Sequence, residues 1–179
     1  MRPFYRASDY SMKNSVGYLI RRTSNLVLPQ LEALFADASL TFSQWTVLMA
    51  LREWGNSTSV QIARDICHDA GSLTRILDEL EERGLISRVR NETDRRSVTV
   101  SLTSQGLALV ESLLPRVVAH WNTLLVDFNH TEIKLLVKLM TRLTYAAAGK
   151  RDQQDPRKRA DRAVGAERAS RRQKRGLRA

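Results

Sequence analysis

The amino-acid sequence predicts a mostly α-helical fold that carries one small β-ribbon. Three observations lead to that class. Apolar residues recur at helical spacing through most of residues 15–148, the period switches to two between Ser97 and Leu102, and the short helical patterns precede that switch while long ones lie at either end.

Leu19, Ile20, Leu26, Val27, Leu31, Leu34 and Phe35 mark a helix over Ser15–Ala36. Pro29 lies inside it, lacks an N–H and crowds the preceding turn, so a kink or a division is expected there. Thr41-Phe42-Ser43-Gln44 has capping-box form and opens a helix with Trp45, Leu48, Met49 and Leu51 that stops near Gly55. Thr58-Ser59-Val60-Gln61 repeats the signal ahead of a short helix bearing Val60, Ile62, Ala63 and Ile66. Asp69 is placed to cap a fourth helix, striped by Leu73, Ile76, Leu77 and Leu80 and stopped by a left-handed Gly84. Val98, Val100 and Leu102 then alternate with Ser97, Thr99 and Ser101 as in a half-buried strand. Ile86–Arg90 is its antiparallel partner, and Asn91-Glu92-Thr93-Asp94 supplies the turn between them. Two long helices follow, Ser104–Phe128 with a bend at Pro115, and Thr131–Ala148. No internal repeat is visible.

Charge divides the chain. Residues 150–179 hold twelve Lys/Arg against four Asp/Glu, and residues 1–149 hold seventeen against fifteen, so the net charge of +10 resides mostly in the last segment. That segment has no apolar periodicity, and its composition predicts a basic, disordered tail suited to polyanionic partners. Residues 1–149 form the folded domain. Cys67 is the sole cysteine, which rules out an intrachain disulfide and suits a reducing cytoplasm. Met1–Gly17 is too polar for a signal peptide, and no apolar run approaches the roughly 18 residues of a membrane span. No phosphate-binding loop, dinucleotide fingerprint, G-x-S-x-G or metal-ligand spacing occurs, so neither an enzyme nor a cofactor is expected. Cys67-His68-Asp69 places possible metal ligands side by side, where they cannot readily converge on one ion, and no metal is expected.

Three short helices followed by a ribbon make a winged helix-turn-helix, in which one helix enters the DNA major groove and the ribbon reaches backbone or minor groove. The fourth helix suits the first task. Gly71 and Ser72 are small enough for close approach, Ser72 and Thr74 can bond to bases or phosphates, and Arg75 can reach guanine O6/N7 or a phosphate, or pair as a surface arginine with Asp78 or Glu79. The stretch Asp78-Glu79-Leu80-Glu81-Glu82 is acidic, so only the first half of the helix should dip into the groove. Arg88 on the first ribbon strand, with Asp94, Arg95 and Arg96 at the tip, completes the candidate DNA contacts. Tyr18, Arg21, Arg22, Trp45, Met49 and His120 combine cations with aromatics and can line a pocket for an aromatic carboxylate, although core packing explains Trp45 and Met49 equally well.

The run Asp69 to Ile86, DAGSLTRILDELEERGLI, resembles the recognition helix and following strand of MarR-family regulators, and Asp94 to Thr103 matches that family's D-x-R-x5-L-T wing, with the usual glycine at Gly106. The resemblance covers about Ser15–Ala148. It implies a homodimer joined through helices near 15–36 and 104–148, with a DNA-binding part near 41–103. It further implies a pseudo-palindromic double-stranded operator, repression, and release by small aromatic acids or phenols. Carried over residue by residue, Arg96 would enter the minor groove, Asp94 would orient it, and Ser72, Thr74 and Arg75 would face the major groove. The competing function is a nonspecific nucleic-acid-binding or architectural protein that relies on the basic tail.

Removing residues 150–179 is expected to flatten the fall of log affinity with log salt while leaving sequence preference intact, because phosphate contacts position without specifying. Salt titrations of the full and shortened chains check this, and an unchanged slope would make the tail a bystander.

Overall fold

The structure is a computed structural model that describes residues 3–66, 70–90 and 98–148. Side chains at the turn signals set where its helices start. Helix α1 (Val16–Phe35) begins at Ser15, whose Oγ accepts the Tyr18 N–H at 3.2 Å. It runs through Pro29 undivided, and its two buried residues, Leu31 and Phe35, both lie beyond the proline. Core packing of those two side chains holds the far half in place against the local cost of Pro29. A 3-10 turn at Ala36–Ala38 ends at Ser39, which is left-handed with φ 50°.

Both expected capping boxes form. At α2 (Phe42–Trp54), Thr41 Oγ1 accepts the Gln44 N–H at 3.2 Å and Gln44 Oε1 accepts the Thr41 N–H at 2.9 Å. Thr58 and Gln61 repeat this at α3 (Ser59–Asp65), at 3.2 and 2.8 Å. Each cap satisfies amide donors that the helix itself leaves open, a gain of about 1 kcal/mol. Helix α4 (Ala70–Glu82) is followed by Gly84 at φ 68°, where the Leu85 N–H returns to Leu80 O at 3.0 Å. The anticipated cap at Asp69 and turn at Asn91–Asp94 lie outside the described residues.

Strands β1 (Ser57–Thr58), β2 (Ile86–Arg90) and β3 (Val98–Leu102) form an antiparallel sheet in the order β1-β3-β2. Ile86 faces Leu102 and Arg90 faces Val98, while Ser57 on the other edge faces Val100. The two residues of β1 are an addition to the sequence reading, because a strand that short has no period and sits inside the capping signal of α3.

Helix α5 (Ser104–Leu124) passes through Pro115 with Leu113 and Val117 buried on either side of it, and it stops short of Phe128. Helix α6 (His130–Ala148) starts one residue before the expected Thr131. Asn129 is the reason: its Oδ1 accepts the Thr131 and Glu132 N–H groups, and Glu132 Oε2 accepts the Asn129 N–H. The chain divides into one unit ending at Thr123 and a second starting at Leu124. Phe35, Leu48, Ile62, Leu77, Val100 and Val110 are fully buried in the first, so helices from α1 to α5 and the sheet share one core. In the second, α6 buries no residue and exposes Leu135, Leu136, Leu139, Met140 and Leu143. Among the described residues, no helix is long and apolar enough to cross a membrane.

One junction joins α4, the sheet and α5. The Thr103 N–H donates to Leu85 O at 3.1 Å, while its Oγ1 donates to Gly84 O at 2.7 Å and accepts the Gly106 N–H at 3.0 Å. A Cβ on Gly106 would lie 2.0 Å from Leu85 O, so this approach requires glycine. Gly106→Ala must displace backbone rather than a flexible side chain. It is expected to cost at least the upper part of the ~1–3 kcal/mol typical of overpacking. Denaturant unfolding of the variant checks this, and near-native stability would contradict the packing described.

Candidate nucleic-acid interface

The orientation of α4 follows from its apolar stripe. Leu73, Leu77 and Leu80 are almost wholly buried, and Ile76 is nearly so. Burying each such side chain contributes roughly 1.5–3 kcal/mol, which fixes the rotation of the helix about its axis. Gly71, Ser72, Thr74 and Arg75 consequently lie exposed on the opposite side. The Arg75 side chain is 85% exposed, and its Nε donates to Glu79 Oε1 at 3.1 Å.

The acidic second half of α4 serves the protein's own geometry. Arg88 on β2 places Nη2 2.7 Å from Asp78 Oδ1, and its Nε donates to Glu81 Oε2 at 2.7 Å. The Arg88 backbone N–H also donates to Glu81 Oε1 at 3.2 Å. Hydrogen bonding to Glu81, followed by the contribution of Asp78, raises the guanidinium pKa above its ordinary value despite opposing desolvation. Sequence alone puts Arg88 among the DNA contacts, whereas here its guanidinium is engaged by two carboxylates that tie the ribbon to α4. Arg83 does comparable work at the end of the same helix, donating to Ala38 O and Ser39 O at 2.8 Å each. Sequence reasoning missed the roles of Arg83, Asp78 and Glu81, because contacts between separate elements leave no spacing signal.

Asp94, Arg95 and Arg96 lie outside the described residues, as does Cys67. The effector candidates are placed unevenly. Tyr18 is half-buried and its Oη accepts from Arg22 Nη1 at 3.0 Å, whereas Arg21 and Arg22 are exposed. Trp45 is 5% exposed and stacks on Phe35 with ring centroids 5.0 Å apart, which commits it to the core. Met49 packs half-buried against that core. His120 lies edge-on to Trp121 at 6.2 Å, and its Nε2 is buried with no hydrogen-bond partner among the described residues. The structure therefore joins Tyr18 to Arg22 and assigns Trp45 to packing. Among the described residues, no group of three or more His, Cys, Asp or Glu is arranged to hold a metal.

Comparison with known proteins agrees with this geometry. The sequence profile of the MarR family matches residues 40–98, which span α2 to the start of β3. The organic hydroperoxide resistance transcriptional regulator of Bacillus subtilis is 33% identical over 100 residues, covering 56% of this chain and 68% of the relative. Among solved structures, a cysteine-to-serine variant of MarR from E. coli complexed with operator DNA superposes with a TM-score of 0.65 at 28% identity, covering 72% of this chain and 92% of that one. Bordetella bronchiseptica BpsR, whose DNA binding is regulated by 6-hydroxynicotinic acid, gives a TM-score of 0.67 at 28% identity over 73% of this chain and 98% of its own.

Arg88→Met is expected to lower the melting temperature, since Asp78 and Glu81 would lose their shared partner. It should leave the slope of log affinity against log salt unchanged. A phosphate-contacting arginine would instead reduce that slope by about one per protomer, so salt titration of the variant on duplex DNA separates the two roles.

Proposed function

Because the chain belongs to the MarR family, we propose that it is a homodimeric, sequence-specific repressor of transcription that releases a pseudo-palindromic operator on binding a small aromatic acid or phenol. The observation that carries this reading is the exposed face of α4, where Ser72, Thr74 and Arg75 stand opposite a buried leucine stripe and next to a ribbon. A helix so held can present its first turns to the major groove. In this proposal Arg75 reads a base edge, Ser72 and Thr74 contact bases or phosphates, and Arg95 meets backbone. Arg96 enters the minor groove under the guidance of Asp94, a role that rests on the wing signature.

Dimerisation is supported by the apolar side chains that α6 leaves exposed in the single chain. A second copy is the natural cover for them, and a two-fold axis explains a palindromic site. For the effector, the support is the regulation of BpsR by 6-hydroxynicotinic acid. Tyr18, Arg21, Arg22 and His120 are the residues proposed to meet a carboxylate or phenol, with Trp45 and Met49 shaping the site from the core side. The proposed place of action is the cytoplasm.

Sedimentation should give a species of about twice the 20.4 kDa chain mass. Competition binding should then show a selected duplex preferred over random DNA by about 10³ or more, and a panel of aromatic acids should weaken that binding. Equal affinity for selected and random duplexes would instead support nonspecific binding through the basic tail. Arg96→Ala is expected to cost roughly 1–3 kcal/mol per half-site without unfolding the protein. Titration and thermal melts of the variant check it.

A further inference from the structure

We propose that Glu79 and Gln44 are positioning residues that aim Arg75 at a guanine edge in the major groove. The specificity of α4 would then be set partly from α2. This inference rests on the reading of α4 as a DNA-reading helix and adds residues that do not themselves touch DNA.

Gln44 is 5% exposed and occupies the third position of α2, where its Oε1 is taken by the Thr41 N–H at 2.9 Å. That capping bond fixes the orientation of the amide and turns Nε2 toward α4, where it donates to Glu79 Oε2 at 2.8 Å. A buried amide donor left without an acceptor is costly, so the scaffold itself holds Glu79 in this rotamer. The other carboxylate oxygen, Oε1, accepts Arg75 Nε at 3.1 Å. Glu79 is thus clamped between a core amide and an exposed guanidinium.

This distinguishes Arg75–Glu79 from an ordinary surface pair. Exposed pairs one helical turn apart usually contribute little, because both long side chains must be ordered together. Here one partner is already ordered. The bond also selects which edge of the guanidinium is used internally: Nε is taken, while Nη1 and Nη2 have no protein partner among the described residues. Those two terminal donors match O6 and N7 of guanine. A tether through Nε reduces the rotamer freedom lost when the terminal edge engages DNA. The Glu79 carboxylate meanwhile repels phosphates, which lowers affinity for every duplex. Aiming the reader while weakening general attraction raises discrimination from both sides.

The test is selection from randomised duplexes by the full-length dimer. It is followed by titration of the selected duplex and of versions altered at each symmetric pair of positions, for wild type, Arg75→Ala, Glu79→Gln and Gln44→Glu. Glu79→Gln leaves one oxygen acceptor where there were two, and Gln44→Glu keeps an acceptor for the Thr41 cap while removing the donor to Glu79. Arg75→Ala should abolish discrimination at one symmetric guanine pair. Glu79→Gln and Gln44→Glu should each weaken discrimination at that same pair by roughly three- to tenfold, part of what a full bidentate contact supplies, with preferences elsewhere retained. Glu79→Gln should also bind random DNA more tightly than wild type. If Arg75→Ala loses the guanine preference but Glu79→Gln keeps it in full, Glu79 is only a repelling charge and the positioning role is overturned. If Arg75→Ala keeps every preference, or wild type selects no sequence, the DNA-reading role of this face falls as well. Thermal melts accompany each variant, and Glu79→Gln, at a partly exposed position, decides the matter should Gln44→Glu fail to fold.

Discussion

The rotation of α4 about its own axis is the constraint on which the rest of the first unit depends. Successive residues of a helix point about 100° apart, so burial of Leu73, Leu77 and Leu80 leaves no freedom for the others. Ser72, Thr74 and Arg75 are exposed because of it. The same setting brings Asp78 and Glu81 to Arg88 on β2, and Glu79 to Gln44 on α2. Turning the helix by one residue would expose leucine and break both polar connections at once. The outward face is therefore specified by the core rather than by its own residues.

Charge is distributed to match. Four acids along the second half of α4 look hostile to DNA in sequence, yet three of them hold arginines or an amide in fixed positions. Asp78 and Glu81 tie the ribbon to the helix through Arg88, and Glu79 ties the helix to α2 through Gln44. Arg116 on α5, whose Nη1 donates to both Asp37 carboxylate oxygens at 2.8 and 3.0 Å, extends the same scheme to the turn after α1. Its hydrogen bonding holds the Asp37 carboxyl below the usual carboxylate range. At Thr103 and Gly106 the link is backbone rather than charge, and it joins the close of α4 to the first turn of α5.

Much of this architecture was legible in the sequence where the signal was local. Thr41/Gln44 and Thr58/Gln61 declared two helix starts because a capping box needs only four consecutive residues. The period of two at Val98–Leu102 declared the ribbon's second strand for a similar reason. Of the kink or division expected at Pro29, division does not occur, since Leu31 and Phe35 anchor the helix beyond it. The ribbon arginine at 88 was legible as a cation but not as the partner of Asp78 and Glu81, which depends on how a helix and a strand meet. Gly106 shows the reverse relation. It stands out in the sequence as part of a motif, and its physical reason, a backbone oxygen where a Cβ would go, appears only in three dimensions.

In the proposed reading, the first half of α4 enters the major groove of double-stranded DNA. Methylation interference on a selected duplex tests it directly, because methylation at guanine N7 places a methyl group on the major-groove edge. Methylated guanines should block binding within two half-sites whose centres lie about one helical turn, roughly 10 base pairs, apart or a multiple of it. Binding that tolerates N7 methylation at every guanine of the site would contradict the account.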